Sequence, residues 1–196
     1  MGRSRTPNAS VTMIRPDLAG LPHHTAPAGY AIRPYAPGDE LAWVRIQSAA
    51  DAYNAIDAHL FRAQFGDDAH ELGQRLFMLV GRRGTAIGTA AAWHGGPRRD
   101  PAIGRVHWVA IHPAHQGHGL AKPLLSRVCR ALRDLGHRRA FLTTSTARIP
   151  AIALYLSFGF VPEIVGPQDA AAWAALQRSA PQLTLRLEDG ATPRRG

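Results

Sequence analysis

Between Val106–Ile111, an apolar run, and a helical repeat of leucines, the chain reads Gln116-Gly-His-Gly-Leu-Ala121, a Gln-x-x-Gly-x-Ala pattern. Amides at a helix start lack intrahelical acceptors and point outward along the positive end of the helix dipole. Such a turn is a ready seat for phosphate. Gly117 and Gly119 suit that chemistry because, without a Cβ, the backbone can approach an anion closely. The amides of Gly117, His118, Gly119, Leu120, Ala121 and Lys122 are the candidate donors. Lys122 either adds a charge-assisted contact or is simply solvated. A glycine pair alone is a weak signal. A second pattern downstream, Ala151-Ile-Ala-Leu-Tyr-Leu-Ser-Phe-Gly-Phe160, makes it much stronger.

The elements that must hold these residues follow from periodicity. Val106–Ile111 is a strand, apolar except at His107, as when both faces are covered. A helix then runs to about Leu135 with Leu120, Leu124, Val128, Leu132 and Leu135 on one face, and Gly136 ends it. Pro123 lies in its first turn, where a missing N–H removes no helical bond. Ala140–Thr144 reads as a strand, Ile149–Phe158 as a short helix, and Phe160–Ile164 and Leu183–Leu187 as final strands. Asp169–Arg178 reads as a surface helix. Upstream, Tyr30–Tyr35 is a first strand closed by Pro37-Gly38, and Asp39 caps a helix through Leu41, Val44, Ile46 and Ala49. Ala55–Phe65 is a second helix, and Leu76–Gly81 with Ala86–Trp93 forms a hairpin of buried strands. Met1–Ser10 reads as disordered, with a short extended piece around Val11–Ile14.

With 196 residues, the chain is long enough to bury a full core without staples. No apolar run approaches the roughly 20 residues that cross a bilayer, and Met1–Pro16 carries no apolar stretch of the signal-peptide kind. Cys129 is the only cysteine and falls among Leu125, Val128 and Leu132, a core helix position compatible with a reducing cytoplasm. The formal charge of +9 invites a nucleic-acid reading. That reading is not favoured. Lys122 is the only lysine, alanine is abundant, and the arginines are scattered pairs such as Arg82-Arg83 and Arg138-Arg139, which points to coding bias. A basic surface still helps gather an anionic ligand.

From about Gly104 to Pro162, about 60 residues, the chain resembles the acyl-CoA-binding core of the GNAT superfamily of N-acetyltransferases. The Gln116–Ala121 loop is similar to the family's pyrophosphate loop, and Ala151–Phe160 to its Ala-x-x-Leu-Tyr-x-x-x-Gly-Phe segment. The resemblance implies an α/β (α+β) fold with a mixed, mostly antiparallel central sheet, splayed at the cofactor groove and flanked by helices. It implies a single domain over residues 29–190, after an N-terminal extension (1–28) and before a tail (191–196). It also implies direct transfer of an acetyl group from acetyl-CoA to an amine in a ternary complex, with no metal and a cytoplasmic setting, by a monomer or homodimer. The pantetheine arm would pair with the backbone of Val109, Ala110 and Ile111, and a backbone N–H of that strand would polarise the thioester carbonyl. Tyr155 matches the tyrosine that protonates the departing thiolate. Arg148 stands where the family often has asparagine, and is read either as a contact to a phosphate or the acceptor or as a surface cation.

The general base is open at this level. His107, with an ordinary pKa of about 6.5, suits removal of a proton from an ammonium group, and Glu163 is a further candidate. His112, His115 and His118 are read as loop residues. In such folds the acceptor is chosen by the first helices, here roughly Trp43–Phe65, which contain Asp51, Tyr53, Asn54, Asp57 and His59. The acceptor itself stays open among a small amine, an amino acid, an antibiotic-like compound and a protein N-terminus. A non-catalytic acyl-CoA-binding module and an RNA- or ribosome-associated protein are the competing classes.

Overall fold

The two apolar runs of the expected hairpin become β3 (Leu76–Val80) and β4 (Ala86–Trp93), paired antiparallel. The computed structural model describes residues 8–95 and 100–185. The chain divides into two units, Asp17–Ala140 and a second formed by Met1–Pro16 with Phe141–Gly196. In the first, β2 (Ala31–Pro34), β3, β4 and β5 (Ile103–Ile111) lie side by side in that order, each antiparallel to its neighbour. Helices α1 (Asp39–Ala50), α2 (Ala58–Phe65), α3 (Ala69–Arg75) and α4 (Ala121–Asp134) complete it.

Trp43 and Ile46 of α1 pack on one face of these strands, against Leu76, Met78, Ala91 and Ala110. On the other face α4 sets the Arg127 guanidinium 4.0 Å from the centre of the Phe77 ring. With both faces covered, β3 is apolar throughout rather than alternating. Trp43 is the centre of an aromatic cluster, edge-on to Phe61, Phe65 and Trp108 at 5.3, 5.7 and 5.2 Å between ring centroids. Residues ahead of β2 are stitched to this unit: Leu18 N–H donates to the Arg138 carbonyl (2.9 Å), and the Ser126 hydroxyl donates to the Pro22 carbonyl (2.9 Å).

Several local expectations change. Asp39 does not cap α1. Gly38, at φ 100°, takes that position, and the Asp39 carboxylate is occupied by Arg33 (2.6 and 2.8 Å) and the Ala36 N–H (2.8 Å). Leu41 points outward at 72% exposure, and the buried face of α1 is Trp43, Ile46 and Gln47. Helix α2 begins at Ala58 rather than Ala55 because Asp57 caps it, accepting from Leu60 N–H at 2.7 Å. Helix α3 was not expected. Its one buried apolar residue, Leu72, makes too little periodicity to read, although Asp68 caps it through His70 and Glu71 N–H.

The second unit holds β1 (Ser10–Arg15), β6 (Arg139–Ser145) from Phe141 onward, α5 (Ile149–Ser157), β7 (Val161–Pro162) and α6 (Pro167–Ser179). Strand β1 lies between β6 and β7 and runs antiparallel to β7, with Met13 opposite Pro162. Glu163 N–H extends that pairing to the Thr12 carbonyl (3.0 Å). The extended piece at Val11–Ile14 is thus part of β1, while Met1–Pro7 lie outside the described residues. Strand β7 is shorter than Phe160–Ile164, and α6 is more than a surface helix, since Trp173 and Leu176 are buried. Residues 183–185 form no strand; 186–196, the rest of that expected strand and the tail included, lie outside the described residues. Among the described residues no helix is long and apolar enough to cross a membrane. The architecture is the mixed α/β, mostly antiparallel one that the resemblance implied.

Candidate functional site

Strand β5 delivers the chain to the loop, and a single 3-10 turn, Pro113–His115, reverses it. Gln116 then folds back, its side-chain amide donating to the Ile111 carbonyl at 2.9 Å. Gly117 and Gly119 adopt φ 79° and 72°, the left-handed region where a side chain is strained. A Cβ at either position would meet nothing within 4 Å. These glycines therefore serve the backbone path, and they leave open space beside it. Among the described residues, the amides from Gly117 to Lys122 donate to no backbone carbonyl, and Leu120 precedes α4 with no side-chain cap. Six successive amides without a backbone acceptor are a set that could hold an anion such as a diphosphate. The loop histidines serve the turn itself: His112 Nδ1 accepts from Ala114 N–H (3.3 Å), and His118 Nδ1 donates to the His115 carbonyl (3.3 Å).

Just before this loop β5 is irregular. Ala110 stands opposite Thr89 and His107 opposite Ala91, so Trp108 and Val109 together face the single residue Ala90. This is a β-bulge. Trp108 has φ 49°, the only positive φ of a non-glycine residue among those described. His112 N–H donates to the Ile87 carbonyl (2.8 Å), so alternation along the strand turns the Ile111 and Val109 amides away from β4 and the Ala110 amide toward it.

His107 does not have the basicity expected of it. It is 6% exposed, its ring lies 5.6 Å from Phe65, and burial, helped by the Arg105 charge, pushes its pKa from 6.5 down to about 3. Its Nε2 lies 3.0 Å from Gln64 Oε1, which also takes the Trp108 indole N–H at 3.0 Å. The indole nitrogen only donates, so the amide atom facing it is the oxygen, and the histidine nitrogen sharing that oxygen carries its proton. Neither Gln64 nor Gln47, whose Nε2 donates to the Trp108 carbonyl at 2.8 Å, stood out in the sequence. The available signal was faint: a polar side chain on the same helix as Phe61 and Phe65.

In the other unit, Tyr155 sits on α5 at 7% exposure, its ring edge-on to Phe160 at 6.1 Å. Arg148 precedes α5, its N–H bonded to the Ser145 carbonyl (3.0 Å) and its own carbonyl accepting from Ala151 and Ile152. Asp51 and Asp57 have structural duties. Asp51 accepts from Tyr53 N–H (2.8 Å) and from the Asn54 side chain (2.7 Å), while Asp57 caps α2.

Comparison with known proteins finds acetyltransferases. The mycothiol acetyltransferase of Pseudarthrobacter chlorophenolicus is 36% identical over 149 residues, 72% of this chain and 46% of that protein. That of Catenulispora acidiphila is 30% identical over 158 residues, 76% of this chain and 49% of its own length. The chain thus spans about half the length of the curated relatives it matches. The crystal structure of a GCN5-related N-acetyltransferase from Sphaerobacter thermophilus superimposes with a TM-score of 0.67 at 20% identity, covering 81% of this chain and 50% of that one. The model of the acetyltransferase (GNAT) family matches residues 40–160, a span that takes in the β5 bulge, the Gly117–Lys122 amides and Tyr155, and the chain belongs to that family.

Proposed function

We propose that this protein transfers the acetyl group of acetyl-CoA directly to an amine, both substrates being bound together. The observation that carries the reading is the run of amides from Gly117 to Lys122 that donate to no backbone carbonyl, with open space beside Gly117 and Gly119. In this reading they take the pyrophosphate, Lys122 and Arg148 add charge to the phosphate end, and the pantetheine arm follows the backbone of Val109, Ala110 and Ile111. The Val109 N–H donates to the thioester oxygen. As the amine nitrogen bonds to the carbonyl carbon, that oxygen gains negative charge, and a fixed donor there is a large catalytic term. Collapse breaks the C–S bond, and the thiolate takes the Tyr155 hydroxyl proton. The buried His107 ring is too weak a base to hold the proton lost by the amine, so that proton passes to water, and water returns one to Tyr155.

The relatives' name makes a mycothiol-related amine the first acceptor to try. A cytoplasmic setting belongs to the same reading, with Cys129 buried and taking no part in acyl transfer. The test is a panel of amines, mycothiol precursors included, with released CoA detected as free thiol. Tyr155→Phe should lower kcat by about 100-fold or more, the usual scale of a general acid, and leave the Kd for CoA within about twofold. Absence of both CoA binding and amine-dependent CoA release would overturn the proposal. Wild-type turnover in Tyr155→Phe would remove that residue's role. CoA binding without release by any amine would favour an acyl-CoA-binding module instead.

A further inference from the structure

Trp108 occupies a backbone conformation that a side chain of its size adopts only when its surroundings over-determine it. Three contacts do so. Gln47, on α1 and 3% exposed, donates through Nε2 to the Trp108 carbonyl at 2.8 Å. Gln64, on α2, accepts the indole N–H at 3.0 Å. Trp43 packs edge-on to the indole with ring centroids 5.2 Å apart. Gln64 also holds His107, at 3.0 Å through the same oxygen. Consecutive residues of a regular strand point to opposite faces. His107 and Trp108 reach one amide oxygen because the bulge swings the indole to the side of its neighbour.

The bulge has a consequence for Val109. With His107 opposite Ala91, an unbroken ladder would set Val109 opposite Thr89, its N–H committed to β4. The extra residue gives that place to Ala110 and turns the Val109 N–H away from β4. We propose that Gln64, supported by Gln47, is a positioning residue for acetyl transfer: the two amides pin the Trp108 bulge and so aim the Val109 N–H at the thioester oxygen. This rests on the acetyl-transfer reading above. It adds that the helices on the acceptor side hold the donor side's oxyanion contact in place.

The test compares Gln64→Leu, Gln64→Glu and Gln47→Leu with wild type, each checked for folding by thermal melting. Gln64→Leu should lower kcat by about 10- to 100-fold, the scale of a displaced oxyanion donor. Its KM for acetyl-CoA should stay within about threefold, because the Gly117–Lys122 amides are untouched. Gln64→Glu should recover most of kcat, since a carboxylate oxygen accepts the same two N–H groups. Gln47→Leu should lower kcat in the same sense. In nitrogen NMR spectra the wild-type His107 Nε2 should carry the proton, and Gln64→Leu should shift the Trp108 indole and Val109 amide signals.

A folded Gln64→Leu with kcat within about twofold of wild type would overturn the positioning role, as would a Gln64→Glu no faster than Gln64→Leu. If the wild-type protein turns over no amine, the acetyl-transfer reading fails by itself. The spectra then decide the clamp: unshifted Val109 and Trp108 signals in Gln64→Leu would overturn it.

Discussion

Acidification should destabilise this protein through His107, and the size of the effect follows from its surroundings. The ring is buried against Phe65 and Trp108 with Arg105 nearby, and its pKa falls from 6.5 to about 3. In the unfolded chain the imidazole is hydrated and takes a proton near pH 6.5. A depressed folded pKa means that the unfolded state binds more protons between those values, so stability is full above pH 6.5 and declines as pH falls toward 3. At pH 5.0 the unfolded ring has gained 1.5 pH units of protonation that the folded ring has not, worth about 2 kcal/mol at about 1.4 kcal/mol per unit. Carried to pH 3, the loss from this one ring approaches about 5 kcal/mol. Burial also lowers His137, so the wild-type curve alone does not isolate one residue. His107→Gln does, since it keeps an N–H for Gln64 Oε1 and does not titrate. Urea unfolding of both proteins at pH 7.5 and 5.0 should show the wild type losing about 2 kcal/mol more than the variant. Parallel losses would refute the argument, for they would mean that the folded ring titrates as it does in water.

Two further substitutions test the frame around the site. Gly119→Ala places a Cβ at φ 72°, with open space around it but a backbone penalty of about 1–2 kcal/mol. The KM for acetyl-CoA should therefore rise about 5- to 30-fold with kcat little changed, and a KM within twofold of wild type would deny the loop its phosphate role. Trp43→Ala removes the fully buried centre of the aromatic cluster and should cost about 3–5 kcal/mol in urea unfolding. A cost below about 1 kcal/mol would show that the cluster does not depend on it.

Local features were legible because local rules set them. The Gln116–Ala121 turn, the β3–β4 hairpin and the α4 face all announce themselves through glycine placement and apolar period, which act within a few residues. Boundaries slipped where side chains had two possible partners. Asp39 looked like a cap, but Arg33 and the Ala36 amide take its carboxylate. Asp57 sat inside the expected second helix, but it caps α2 and so sets its start at Ala58.

By itself the sequence determined the family, the order of most elements and the glycine-rich turn before α4, since each is written in spacing along the chain. Only the tertiary structure decided the state of His107 and the shape of β5. Gln47 and Gln64 meet Trp108 across 61 and 44 residues of chain, a proximity that no local pattern encodes. Burial likewise changes a base of ordinary strength into one too weak to serve. The environment that packing creates sets that chemistry, and the residue type alone does not.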